Sequence, residues 1–126
     1  MKLLKESPYP GASRIVLLFK DRVIKIPNRR WSWQDFLLGI ISNIRETETW
    51  KSNSGKYEKG NSYLLCPVLW CSWGGWILIM ERAIPCDNDE ILDFKPWIDA
   101  GFGGDDAIRN YGRINGIVVK LDYGVE

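Results

Sequence analysis

The sequence predicts an α+β domain: an antiparallel sheet packed on one main helix. Three observations predict it. β-rich runs come in pairs joined by turn residues, one long segment carries a helical period, and no repeat, linker or low-complexity tract divides the 126 residues, so 1–126 is one domain. At 14.6 kDa, surface scaling gives about 6,900 Å² folded against about 21,000 Å² unfolded, enough burial for one core and not for two.

Ile15 to Phe19 is a continuous apolar run, Lys20-Asp21-Arg22 a polar turn, and Val23-Ile24-Lys25-Ile26 a second β-rich run closed by Pro27. Together they form an antiparallel hairpin, approached through the small residues Gly11-Ala12-Ser13. Ser32 and Asp35 then stand at capping-box spacing, and from Trp33 the residues Phe36, Leu37, Ile40, Ile41 and Ile44 recur at helical intervals, which predicts a helix from Trp33 to Trp50 with that stripe inward. At about 100° per residue, Gly39, Asn43, Glu46 and Trp50 make a second stripe turned by roughly 120° from the first. Glu46 therefore flanks the buried face.

Residues 51–62 carry Ser, Gly, Asn and Lys without an apolar period and predict a loop. Tyr63 to Cys71 and Trp76 to Glu81 predict a second hairpin joined at Ser72-Trp73-Gly74-Gly75, with Pro67 marking an edge or a bulge. A short helix is expected around Glu90 to Phe94, interrupted by Pro96, and then a glycine and acid loop at Gly101 to Asp106. Asn115-Gly116 between Tyr111–Ile114 and Ile117–Leu121 is the strongest local hairpin cue in the chain.

Composition narrows the chemistry. The chain has 17 Lys plus Arg, 16 Asp plus Glu and no His, a net charge of +1. Ser-His-Asp and Cys-His catalysis, an imidazole proton shuttle and a His-containing zinc site are all excluded. Near-neutral charge disfavours a nucleic-acid partner, which calls for a basic field or patch. Cys66, Cys71 and Cys86 fit neither a C-x-x-C motif nor a paired disulfide framework, and predict reduced core thiols in a cytosolic protein. Met1 to Lys5 starts like a signal peptide, but Glu6-Ser7-Pro8 ends it, and apolar runs such as Ile15 to Phe19 are far too short to span a bilayer. Seven Trp point to a core or a binding face built on large rings.

Several charged or amide positions stand where a solvated group is not expected, or at a spacing that suits phosphate and metal: Lys25 inside an apolar strand, Glu46 beside the apolar helix face, Asp105 and Asn110 five residues apart, and Asp122 after the last strand. In that order they resemble protein kinases. Val23-Ile24-Lys25-Ile26 is similar to the strand of the phosphate-binding lysine, with Glu46 on the next helix as its partner. Cys66-Pro67-Val68-Leu69 and Trp76 to Ala83 resemble the strand pair and hinge, Asp105 to Asn110 matches D-x-x-x-x-N, and Leu121-Asp122-Tyr123-Gly124 resembles D-F-G.

The more specific resemblance is to small kinase-like proteins of bacteriophages, carried by Gly39, Asn43, Glu46 and Trp50 and by Asn110-Tyr111-Gly112, Asn115-Gly116 and Asp122-Tyr123-Gly124. It implies a kinase N-lobe plus a catalytic-loop and D-Y-G hairpin, without the helical C-lobe. It implies ATP and Mg²⁺ as cofactors: Lys25 on the phosphates, Glu46 holding Lys25, Asn110 and Asp122 on the metal, Asp105 as base, and Met80, Glu81 and Ala83 along the adenine edge. Gly104 and Ala107 depart from the family's basic positions, which implies weaker charge neutralisation at the transferring phosphoryl, and Gly11-Ala12-Ser13 lacks G-x-G-x-x-G, which implies fewer backbone amides over the phosphates.

Each residue also has a plainer reading. Lys25 suits an edge strand guarded against aggregation, Glu46 a surface pair with Arg45 or Lys51, Asp105, Asp106 and Asp122 turn chemistry. Arg29-Arg30-Trp31 mixes cations with rings as single-strand binders do, or is a loop leading into a capped helix with Trp33 on its apolar face. Trp73 and Trp76 are either partner anchors or a hairpin tip tucked onto the core. Two functions follow: a binding module that docks on and blocks a host bacterial protein, such as a component of a CRISPR or other defence system, or a minimal ATP-dependent phosphotransferase using Lys25, Glu46, Asp105, Asn110 and Asp122. The missing helical lobe favours the first.

Overall fold

Apolar and β-branched runs separated by short polar turns leave little choice but to pair with one another. In a computed structural model that describes residues 3–6, 13–28, 32–53, 65–87, 89, 91–99 and 108–123, they do so as two antiparallel sheets. The larger has the order β1-β2-β3-β5-β4, from β1 (Leu3–Glu6), β2 (Arg14–Phe19), β3 (Arg22–Pro27), β4 (Val68–Cys71) and β5 (Leu78–Glu81). The smaller is β6 (Ile84–Pro85), β7 (Tyr111–Ile114) and β8 (Ile117–Lys120). One long helix, α1 (Trp33–Asn53), lies against the larger sheet, and a short one, α2 (Lys95–Asp99), packs with the smaller. The predicted α+β class holds, and no helix of the described residues is long and apolar enough to cross a membrane.

The hairpin predicted at 15–26 is β2–β3, in a register that sets Val16 opposite Lys25 and Arg14 opposite Pro27. β3 also pairs with β5, so Lys25 stands on an interior strand and the edge-strand reading of it is overturned. Pro67 does precede an edge strand, β4. Of the strand predicted from Tyr63 to Cys71, Tyr63 and Leu64 lie outside the described residues and β4 begins at Val68; before it, Leu65 bridges to Lys120 and the Cys66 N–H donates to the Lys120 carbonyl at 2.9 Å, so this stretch ties the two sheets together. At the β7–β8 turn, Asn115 and Gly116 have φ of 52° and 82°, the two positive values a type I′ turn demands. β1 lies outside the sequence expectation, because Leu3–Glu6 is only four residues long and half of them are charged.

The α1 cap is as expected, the Asp35 N–H donating to Ser32 Oγ at 3.1 Å. Its orientation is not. Leu37, Leu38, Ile41 and Ile44 are exposed, whereas Phe36, Gly39, Ser42, Asn43 and Glu46 are buried. Gly39 lets the helix come close: a Cβ there would overlap the Ser13 carbonyl and meet Pro27 Cα. The space so defined is filled by polar side chains, which leaves Leu37, Ile41 and Ile44 of the predicted stripe outward, Ile40 half-buried and Phe36 inside. Trp33, placed on the inward face from sequence, is 78 % exposed and meets Phe36 edge-on. The helix expected at 90–94 is instead α2, with Pro96 in its first turn, where the missing N–H has no intrahelical partner to lose.

Two apolar clusters support this frame. Cys66, Leu78, Met80, Ala83 and Val119 fill the junction between the sheets, and Cys86, Trp97 and Tyr111 fill the smaller sheet's face beneath α2. Cys66, Cys71 and Cys86 form no disulfide with one another, and Cys66 and Cys86 are buried.

Candidate functional site

Where β3, α1 and the end of β8 converge, four charged side chains meet. Lys25 is 6 % exposed, and its ammonium donates to both oxygens of Glu46, at 3.2 and 3.1 Å, and to the Leu121 carbonyl at 2.9 Å. Glu46 has no exposure. It also accepts from Arg14 Nη2 at 2.7 Å, and the same nitrogen donates to Asp122 Oδ1 at 2.7 Å. Asn43 closes the cluster, accepting from Arg14 Nη1 at 3.3 Å and donating to the carbonyls of Lys25 and Gly75. The surface reading of Glu46 is overturned: its partners are Lys25 and Arg14.

Arg14 is the one charged member of the cluster that does not stand out in the sequence. The signal was present in the hairpin register. With Val16 opposite Lys25, residues two apart on β2 share a face, so Arg14 and Lys25 project from the same side of the sheet. Burial alone lowers the Arg14 pKa, but the charges and hydrogen bonds of Glu46 and Asp122 outweigh it, and the guanidinium is held even more firmly charged than usual.

The remaining predicted residues fall into four groups. Asn110 ends a 3₁₀ turn just before β7, and its carbonyl accepts the Leu121 N–H at 2.6 Å, so Asn110 lies beside the residue preceding Asp122. Met80 is buried on the interior strand β5, and Glu81 has both backbone groups engaged, its N–H by the Pro67 carbonyl and its carbonyl by the Cys66 thiol. Ala83 is buried in the core. Asp105, Arg29, Arg30 and Trp31 lie outside the described residues, as do Gly11, Ala12, Gly104, Asp106, Ala107 and Gly124. Trp73 sits in a 3₁₀ turn and is 94 % exposed, so the hairpin tip is not tucked onto the core there; Trp76 is also exposed, leaning on Phe36 at 5.3 Å between ring centroids.

The residues do not fit a divalent metal as they stand. The cluster holds two cations and two carboxylates, so it is neutral, and Asp122 Oδ1 already accepts from Arg14. Among the described residues no group of three or more Cys, Asp and Glu is placed to ligate one. Lys25 has three ammonium donors and uses them on Glu46 and Leu121, which leaves none for a phosphate oxygen. A separate cleft of about 360 Å³ opens between Trp50, Pro67, Glu81 and the β7–β8 hairpin, and none of the four charged side chains lines it. Comparison with protein-family models finds no family that matches the chain, and comparison with curated proteins finds no relative.

Proposed function

We propose that this chain is a protein-binding module on a kinase-like scaffold of the bacteriophage type, which docks on a bacterial host protein and blocks it, a component of a CRISPR or other defence system being the class of target the resemblance suggests. One observation carries this reading: the outward face of α1. Trp33, Leu37, Leu38, Ile41 and Ile44 are exposed, and Phe36 joins them to Trp76 through ring contacts on both sides. The turn bearing Trp73 abuts the same helix, since a Cβ on Gly75 would meet the Ile40 carbonyl and Ile44 at 2.8 Å.

The size of this face supports a partner. With about 250 Å² per tryptophan, Trp33, Trp73 and Trp76 alone leave on the order of 500 Å² in water, and the helix aliphatics bring the total toward the roughly 800 Å² that one side of a standard interface buries. Patches of that size on monomers mark interaction sites, and tryptophan is the residue most enriched among binding hot spots.

The phosphotransferase reading is second. The Lys25–Glu46 pair at 3.1 Å, close to Asp122, favours it. The neutral, fully engaged cluster ranks it below the binding module, and fold analogy does not decide function.

The test is affinity capture from bacterial lysate with wild-type protein and with Ile41→Glu and Trp73→Ala, each shown to be folded. A stoichiometric host protein held by wild type and lost with the variants is the expected result. A protein retained equally by all three, no retained protein, or a homodimer disrupted by Ile41→Glu each overturns the host-docking reading.

A further inference from the structure

We infer that Arg14 is a resident cation that occupies the position between Glu46 and Asp122 which a divalent metal would otherwise take, so that the charge cluster is complete without metal. The inference rests on the cluster geometry and is independent of what the α1 face binds.

A single nitrogen, Arg14 Nη2, stands 2.7 Å from an oxygen of each carboxylate, bridging them as one positive centre. Arg14 is 5 % exposed, and the acids come from different elements, Glu46 from α1 and Asp122 from the segment after β8. The bridge therefore straps three parts of the fold together: β2, α1 and the end of the final hairpin. A guanidinium suits this place because it cannot be deprotonated in proteins and its donors fan out in a fixed plane, which lets Nη1 reach Asn43 as well.

The charge arithmetic makes the inference testable. With Arg14 the cluster sums to zero, and a divalent ion would bring two unmatched positive charges into a buried site. Without Arg14 the same atoms carry two carboxylates against Lys25 alone, a net charge of −1 in a place where an uncompensated charge is costly. Carboxylate oxygens from two elements are then the hard donors that Mg²⁺ or Mn²⁺ prefers. The wild-type protein is metal-indifferent, and loss of one side chain makes it a cation binder.

Mn²⁺ uptake, read from loss of the free-ion electron paramagnetic resonance signal at roughly 1 mM Mn²⁺, tests this. Wild type and Arg14→Lys should leave the signal unchanged. Arg14→Ala should take up about one ion per chain, and the double variant Arg14→Ala/Asp122→Asn should lose that uptake. Uptake by wild type that disappears in Asp122→Asn overturns the inference, and so does a folded Arg14→Ala that binds nothing. Where Arg14→Ala does not fold in EDTA, its refolding with Mn²⁺ is the readout: native circular dichroism regained only with metal supports the resident-cation role, and no recovery overturns it.

Discussion

Lys25 and Glu46, 21 residues apart in sequence, meet at 3.1 Å with the Glu46 side chain fully removed from water. Desolvating two charges costs several kcal/mol per ion, and their attraction offsets this only when the remaining donors and acceptors are also satisfied. Here they are: Arg14 takes up further lone-pair capacity of Glu46, and Leu121 accepts the third Lys25 donor.

The cluster should therefore respond to mutation in a set order. Glu46→Ala takes the carboxylate from the buried Lys25 ammonium and leaves Arg14 with Asp122 alone, and should cost about 3–5 kcal/mol. Lys25→Met leaves Glu46 still paired with Arg14 and should cost less, and Asp122→Asn least, because its side chain is 35 % exposed. Urea denaturation reads all three. Equal losses across the series would mean that Glu46 is not the hub.

Asn43 gives a second, independent measure. It is fully buried and donates to the Lys25 and Gly75 carbonyls while accepting from Arg14. Asn43→Leu should cost on the order of 1–3 kcal/mol for each partner left unsatisfied. Asn43→Asp keeps the oxygen for Arg14 but aims a carboxylate at two carbonyls, so its penalty at neutral pH should shrink as the pH falls and that acid protonates. A penalty independent of pH would argue that the new side chain has turned away to solvent.

The parts of the fold that are legible in the sequence are those written in local chemistry. Asn115-Gly116 specifies a type I′ turn, Ser32 and Asp35 specify a helix cap, and Pro67 marks an edge. The inward stripe of α1 is not legible, because periodicity reports that a helix has two faces without saying which one the core takes. Gly39, Asn43 and Glu46 win the inside because a helix without a Cβ at the contact can approach the sheet closely and bring polar groups within hydrogen-bonding distance of one another. Lys25, Glu46 and Asp122 stand out in the sequence as separate oddities, whereas Arg14 needs the strand register before it becomes one.

The outward face of α1 should separate binding from folding. Ile41→Glu and Leu37→Lys change exposed positions and should alter stability by no more than about 0.5 kcal/mol. Phe36→Ala, on the same helix but buried between Trp33 and Trp76, should cost about 3–5 kcal/mol. Thermal melts of the three variants check this, and a large loss for Ile41→Glu would show that the face is covered within the chain.

Two glycines with positive φ should differ in their tolerance of alanine. Gly116, at φ 82°, has nothing within 4 Å of the place a Cβ would take, so Gly116→Ala carries only the left-handed backbone cost of about 1–2 kcal/mol. Gly75, at φ 74°, adds a collision with the Ile40 carbonyl and Ile44 at 2.8 Å and should lose markedly more. Chemical denaturation compares them directly, and equal losses would remove the close approach of this turn to α1.

Alkaline pH should weaken the fold through two protons held inside it. Burial is the main cause that pushes the Cys66 thiol up to about 12 from 9.0, with Lys25 opposing and Glu81 and Glu46 adding to the rise. Burial likewise raises the Tyr123 phenol above its ordinary 10.0. Both protons are in use, Cys66 Sγ donating to the Glu81 carbonyl at 3.1 Å and Tyr123 Oη to the Cys66 carbonyl at 2.6 Å. A group whose folded pKa lies above its unfolded value contributes stability that is complete below the unfolded value and is lost as the pH climbs toward the folded one. Above pH 9 the unfolded chain releases the thiol proton while the native chain keeps it, so stability falls by up to about 1.4 kcal/mol per pH unit for that group, and Tyr123 joins above pH 10. Arg14, whose pKa is raised, stays charged throughout this window, so the ion cluster does not contribute through it. Cys66→Ser should flatten the decline between pH 9 and 12, and Tyr123→Phe should flatten it above pH 10. Urea midpoints at stepped pH provide the measurement. A Cys66→Ser variant as steep as wild type, or rapid alkylation of native Cys66 at mildly alkaline pH, would show that the thiol is neither buried nor bonded as described.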